Sequence, residues 1–281
     1  MKVRILGTAA GGGLPQWNCG CRGCQTARAS GRRRTQDCLA VSGDGSAWYL
    51  VNASADLQMQ LAAAPELAPA PYTRDSPVRG VLLTSAELDH TIGLLSLREA
   101  RSVRVFATAS VQSTLPFLTA LSACTHIDWC TVTPGHPLAP DGGLTVHAFA
   151  AGTKPPRYAL DVAGADWTIA YRFTDERTGA ALVYAPGLAQ WSRAFSTGIA
   201  GAKVVILDGT FATLGELGTT QAMGHMSIEE SLPQVRGHAG PVYIYTHLNN
   251  TNPFAFADPV ATARLAAAGA RIATDGESIE L

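Results

Sequence analysis

The stretch Arg79-Gly80-Val81-Leu82-Leu83-Thr84-Ser85-Ala86-Glu87-Leu88-Asp89-His90-Thr91-Ile92-Gly93-Leu94 decides the fold class. Its first half is a short apolar run ended by turn residues, the pattern of an inner-sheet strand. Helical spacing follows Asp89 through Ile92, Leu94, Leu95 and Leu97. Two later segments repeat the arrangement: Val204-Val205-Ile206-Leu207 leads to Asp208, and Val242-Tyr243-Ile244-Tyr245-Thr246 leads to His247. In open α/β sheets the carboxyl ends of strands gather around the ligand crevice, so these metal-competent side chains are predicted to meet although far apart in sequence. One such strand end alone reads as a hydrogen-bonded residue. Three in the same context point to a site.

Working outward, residues 3–6 and 47–51 repeat the buried-strand pattern, and 167–173 and 180–184 form a strand pair joined by the hairpin signal at 174–179. A further strand covers 203–207. Helices are predicted over 111–121, over 228–235, where Ser227-x-x-Glu230 is a capping box, and over 260–267, with Asp258 as N-cap, Pro259 at the first position and Gly269 past the end. The Pro-rich patch at 64–77 reads as a surface excursion, and there is no internal repeat or long linker. Strands, helix, strands and helix in that order suit two sheets packed face to face with helices outside, in one domain spanning 1–281.

Composition agrees with a large core: 281 residues are 47% hydrophobic and 15% charged, which excludes disorder and coiled coil. A net charge of −1, with Arg32-Arg33-Arg34 as the one basic cluster, speaks against a nucleic-acid or polybasic membrane binder. No window approaches the roughly 18 to 20 apolar residues of a membrane span. The N-terminal apolar run is broken at Gly7 and again at Gly11-Gly12-Gly13, so no export signal is read and a cytoplasmic protein is expected.

Without that signal, six cysteines point to metal or buried-thiol roles rather than disulfides. Cys19, Cys21 and Cys24 are packed into one Gly-rich segment and can converge on a tetrahedral structural zinc, with a redox thiol cluster as the alternative. Gly20 and Gly23 are expected to allow the tight turn that convergence needs. The sequence does not name a fourth ligand, although Asn250 and Asn252 in the Asn-rich loop after His247 are candidates. Cys38 reads as a buried thiol. Cys124, His126 and Cys130 read as core residues in preference to a second metal cluster, and His136, His147 and His238 as structural.

Asp89, His90 and His247 supply one carboxylate and two imidazoles. That set binds non-haem Fe(II) on one face and leaves positions open for O2 and substrate, and Zn²⁺ accepts the same donors. His225, just ahead of the capped helix, is either an acid/base group or support for a ligand, or else a surface histidine at a helix start.

The segment 82–94 resembles the metal loop of the metallo-β-lactamase superfamily, His-x-His-x-Asp-His, and the Cys-x-Cys-x-x-Cys loop, at about 7–38, resembles the zinc-bearing insertion of its phosphodiesterase branch. Ala9-Ala10-Gly11-Gly12-Gly13-Leu14-Pro15-Gln16-Trp17-Asn18-Cys19, Leu207-Asp208-Gly209-Thr210, Met223-Gly224-His225-Met226 and His247-Leu248-Asn249-Asn250-Thr251-Asn252-Pro253 together resemble a family of pyrroloquinoline quinone biosynthesis proteins, over essentially the full chain. The resemblance implies a four-layer αββα sandwich. It also exposes departures from the hydrolases. Ser85 and Glu87 stand where the first two histidines would be, Ala185-Pro186-Gly187 replaces the bridging aspartate, and residues 150–156 lack a further histidine, His147 being too early. What survives is Asp89, His90 and His247, which argues against a dinuclear hydrolase.

By that resemblance the chain is expected to be an Fe(II)- and O2-dependent oxygenase with a separate structural zinc, hydroxylating the tyrosine ring of a small, acidic, peptide-derived precursor made from glutamate and tyrosine. Glu87 would relay protons, Asp208 would be a further ligand or a histidine anchor, and Arg157 is a candidate for the substrate's acidic groups. A homodimer is compatible with the reading. The alternatives are a non-catalytic carrier or transport helper for the quinone or its precursor, and a residual one-zinc hydrolase of an ester or lactam.

Overall fold

In the computed structural model, which describes residues 1–216, 223–256 and 259–281, successive residues of the central strands face two different cores. Val3, Ile5, Leu39, Val41, Tyr49 and Val51 point one way, with Leu182, Tyr184, Val204, Ile206 and Ile244 opposite them. Between these, Leu6, Cys38, Ala40, Trp48 and Leu50 point to a second core, and Val183, Val205, Leu207, Tyr243 and Tyr245 to a third. Strands buried on both faces need no polar alternation, and so their sequences are near-continuous apolar runs.

Three cores define four layers. One sheet has the strand order Ser278–Glu280, Lys2–Gly7, Cys38–Ser42, Trp48–Val51, Val78–Leu82, Ser102–Ala107, His126–Thr131. The other runs Ala270–Ile272, Val242–Thr246, Val204–Asp208, Ala181–Ala185, Thr168–Asp175, Leu144–Gly152, Pro137–Leu138. The helices Leu57–Ala62, Ala109–Gln112 and Leu118–Ser122 contribute Leu57, Val111 and Leu121 to the outer core of the first sheet. Arg22–Ser30, Arg193–Ile199, Ile228–Gly237 and Pro259–Ala266 cover the second. The αββα sandwich expected from the resemblance is the architecture observed.

Parallel pairing of Ala181–Ala185 with Val204–Asp208, and of the latter with Val242–Thr246, brings their carboxyl ends to one edge of the second sheet. In the first sheet Trp48–Val51, Val78–Leu82 and Ser102–Ala107 are likewise parallel. A bridge between Ser85 and Thr168, with Ile169 N–H on Thr84 O at 2.8 Å, ties the two sheets together at that edge.

Several local expectations need correction. The helix predicted over 111–121 is two short helices, because Pro116 lies between them, has no N–H to donate and disfavours helical geometry in the residue before it. After Asp89 there is one α turn, Leu88–Thr91, followed by the 3₁₀ segment Ile92–Leu97. The cysteine segment is not all loop: Cys21 caps the helix Arg22–Ser30, accepting from Cys24 N–H at 3.5 Å, and Cys24 sits in its first turn. Gly20 and Gly23 are not in left-handed conformations, and Gly23 serves a different need, since a Cβ there would overlap the carbonyl oxygen of Asn250.

Cys38 is buried as expected, whereas Cys124 is exposed and Cys130 half-buried. They flank or belong to the edge strand His126–Thr131, where the core does not close, and His126 is exposed beside them. The capping box forms, with Ser227 N–H on Glu230 Oε2 at 2.9 Å and Glu230 N–H on Ser227 Oγ at 3.3 Å. The Asp258 N-cap lies outside the described residues. Among the described residues no helix is long and apolar enough to cross a membrane.

Candidate metal centre

Asp89 and His90 ride on the single turn Leu88–Thr91, and His247 follows Val242–Thr246 in a left-handed conformation, φ 57°. Each offers a ligand atom lying within 4.8 Å of the others. His247 Nε2 is 3.2 Å from Asp89 Oδ2, and the His90 and His247 rings meet edge to face at 5.1 Å. His90 Nδ1 is held by Ser85 Oγ at 2.7 Å, while its Nε2 is buried without a hydrogen-bond partner. A buried imidazole nitrogen left without a partner is costly unless it has another ligand, and a divalent metal meets that need. The donor set therefore fits a mononuclear site. Ser85, which replaces a histidine of the hydrolase motif, has become the hydrogen-bond partner that orients His90.

Asp208 and His225 form a second arrangement beside it. Asp208 Oδ2 accepts from His225 Nδ1 at 2.6 Å and from Leu188 N–H at 2.8 Å, and Oδ1 accepts from Thr210 N–H at 2.9 Å and Thr210 Oγ1 at 2.7 Å. With four bonds on its two oxygens this carboxylate is an anchor for histidine rather than a free ligand, although Asp208, His225 and His247 are also close enough for a metal. Because the Thr210 hydroxyl donates to Asp208, it accepts from His247 Nδ1 at 2.8 Å, which turns His247 Nε2 toward Asp89. The His225 and His247 rings stack at 5.3 Å and 17°. Thr210 thus links Asp208 to His247, a part that its residue type alone does not announce. Its signal was its place two residues after a strand-end aspartate.

The electrostatics follow from burial and proximity. Burial disfavours the charged form of His90 and pushes it down to about 4, so it is neutral. Burial acts the same way on His247, but its hydrogen bond to Asp89 and the charges of Asp89, Asp37 and Asp208 prevail and lift it to about 9. Burial opposes ionisation of Asp89 and Asp208 too, yet His90 and His247 around the first, and His225 around the second, hold both below the usual carboxylate range. Glu87 is pushed up, by burial and then by the charge of Asp89.

Glu87, Asp89, His90, His225 and His247 face a cleft of about 250 Å³, also lined by Gly11, Lys154, Arg157 and Met223. Arg157, singled out from the sequence, is thus in the cleft, and Lys154 joins it from the loop that lacks the hydrolase histidine. Among the described residues, no ion pair engages either cation.

The thiols of Cys19, Cys21 and Cys24 converge within 4.8 Å of one another. Asn250 Nδ2 stands over all three, at 3.1, 3.4 and 3.4 Å from their sulfurs. Of the two asparagine candidates Asn250 is therefore at the cluster. Asn252 is not: its amide bonds Gly209 O at 2.7 Å and its oxygen accepts from Phe254 N–H at 2.9 Å, pinning the loop.

With the fold and these clusters defined, comparison with known proteins gives the class first: residues 47–248 match the beta-lactamase superfamily domain. Curated relatives include coenzyme PQQ synthesis protein B of Azoarcus sp. (strain BH72), 37% identical over 100% of both chains, and that of Methylorubrum extorquens (strain ATCC 14718 / DSM 1338 / JCM 2805 / NCIMB 9133 / AM1), 35% identical over the same full coverage. This chain belongs to the coenzyme PQQ synthesis protein B family. The Zn²⁺-bound crystal structure of PqqB from Methylobacterium extorquens superimposes with a TM-score of 0.93 at 33% identity, covering 100% of each chain. A diphosphatase of the PhnP family, at TM-score 0.75 and 16% identity over 100% of this chain and 97% of that one, shares the fold.

Proposed function

We propose that this chain acts in coenzyme PQQ synthesis as a mononuclear non-haem iron enzyme that uses O2 to hydroxylate the tyrosine ring of a small acidic precursor made from glutamate and tyrosine. The observation that carries the reading is the Asp89, His90 and His247 cluster, with the buried His90 Nε2 unpartnered inside it. Asp89, His90 and His247 would hold a ferrous ion, which would supply O2 activation when bound. Around it, Ser85 and Thr210 fix the ring orientations of His90 and His247. Asp208 takes up His225 Nδ1, which leaves Nε2 of that histidine to exchange a proton with a ligand in the cleft. Glu87, whose carboxyl is pushed up by burial and by the charge of Asp89, lines the same wall, as the proton relay. Lys154 and Arg157 suit the precursor's acidic groups. Cys19, Cys21 and Cys24 would hold a structural zinc, their three thiols converging beside Asn250. The Zn²⁺-bound state of the solved relative and the full-length match to that family support metal binding here.

The test is anaerobic purification with Fe(II) supplied, metal counting per chain, and O2 uptake with a tyrosine-containing precursor. One zinc and one iron are expected, and His90→Ala should lose the iron and the turnover while keeping the zinc. Zinc alone with no O2 uptake would overturn the oxygenase and leave a non-catalytic carrier in its place.

A further inference from the structure

Asp37 lies directly ahead of the strand Cys38–Ser42, is 1% exposed, and apart from its charge acting on His247 has no role in the site described above. Its carboxylate accepts from the phenol of Tyr184, from Thr246 Oγ1 at 2.8 Å and from Asn52 Nδ2 at 3.5 Å, while its own N–H bonds Ala9 O at 2.7 Å. Tyr184 and Thr246 belong to the second sheet and Asn52 directly follows the strand Trp48–Val51 of the first, so one carboxylate joins the two sheets through their shared interior.

Two of its partners lead to metal-competent side chains. Thr246 immediately precedes His247. Asn52, left-handed at φ 66°, uses its oxygen to accept from both Thr84 N–H and Thr84 Oγ1 at 2.9 Å, and that hydroxyl stands 3.4 Å from His90 Nδ1. The third partner, Tyr184, leads to neither. Apolar packing between the sheets is non-directional and does not by itself fix how one strand end lies against the other. Hydrogen bonds do. Burying a carboxylate is a weak source of stability, and in some proteins such a group serves to specify geometry.

We propose that Asp37 is a positioning residue that sets His90, carried by the first sheet, and His247, carried by the second, at the separation one metal ion requires. The inference rests on the reading of Asp89, His90 and His247 as a metal site. It is tested by titrating Co(II) into full-length protein whose thiolate site is already filled with zinc, following the visible ligand-field bands, for wild type, Asp37→Asn, Thr246→Val and Tyr184→Phe.

Asp37→Asn and Thr246→Val should weaken Co(II) binding by about 10- to 100-fold, the usual effect of disturbing groups behind metal ligands, and shift the bands, with zinc retained. Tyr184→Phe removes a bond to the same carboxylate and should lower the unfolding midpoint while leaving affinity and spectrum as in wild type. Should Asp37→Asn fail to fold, Thr246→Val, which loses one hydrogen bond, carries the comparison. Wild-type affinity and bands in Thr246→Val, or equal disturbance in Tyr184→Phe, would overturn the proposal. Wild type that takes up no Co(II) beyond the thiolates overturns the metal-site reading itself, and the inference with it, before any variant is made.

Discussion

Loading Asp89, His90 and His247 with a divalent metal at pH 7 is expected to expel one proton, and that proton comes from His247. His90, at about 4, carries none at that pH, and Asp89 is already ionised. His247, lifted to about 9 chiefly by Asp89 once burial is outweighed, is still an imidazolium, and its Nε2 hydrogen points at Asp89 where the metal must go. Removing it two pH units below its pKa costs about 3 kcal/mol, roughly a hundredfold in apparent affinity.

The signs are opposite for the two states. In the metal-free protein the raised value means that the His247–Asp89 pair contributes its full stability below pH ~6.5 and loses it as pH rises through about 9. Metal affinity instead climbs about tenfold per pH unit between pH 7 and 9 and levels off above. Calorimetric titration with Co(II), in buffers of different ionisation heat and with the thiolate site kept zinc-filled, counts the protons directly. A proton number near zero at pH 7, or an affinity flat from pH 7 to 9, would show that His247 is neutral before the metal arrives and refute the electrostatic argument.

Three further outcomes are expected. Thr210→Val removes the acceptor on His247 Nδ1 and should cut metal affinity at this site by about 10- to 100-fold, measured as metal retained on dialysis, with wild-type retention contradicting the assigned role. Gly23→Ala should destabilise by about 1–3 kcal/mol in denaturant titrations, because the overlap with Asn250 outweighs the gain in helix propensity, and a stabilised variant would contradict the packing. Ser227→Ala breaks the capping box and should cost about 1 kcal/mol by the same measurement, whereas an unshifted midpoint would show that the cap contributes nothing.

The strand-end logic made the centre legible in the sequence: Asp89, Asp208 and His247 all emerge where parallel strands stop, and parallel pairing brings those stops together. The Ser85 and Glu87 departures were equally readable, since they sit at fixed offsets from Asp89. Less could be read where partners are distant in sequence. That Asp208 is saturated by Leu188, Thr210 and His225, and so serves as an anchor, depends on three loops folding onto one carboxylate. The strand Ser102–Ala107 does not show as a continuous apolar run, since Ser102 and Arg104 alternate with Val103 and Val105, whereas His126–Thr131 is legible as a strand start and Leu144–Gly152 only as the strand setting of His147. Pro116 was visible all along. The apolar spacing on either side of it suits one helix, but the proline divides the stretch into two.

The loop that begins at His247 reaches the thiol cluster only three residues later, at Asn250, whose carbonyl is also packed against Gly23 and 3.5 Å from Cys21 Sγ. The two clusters consequently share a single strap of backbone, and loading one is expected to bear on the other. Zinc at the thiolates would fasten one end of the strap, so the other end, with its left-handed histidine, is pre-set before a labile ferrous ion arrives. Order of addition then becomes a property of the fold: iron offered to zinc-stripped protein should be held less tightly than iron offered after zinc, and equal retention in both orders would show that the strap transmits nothing.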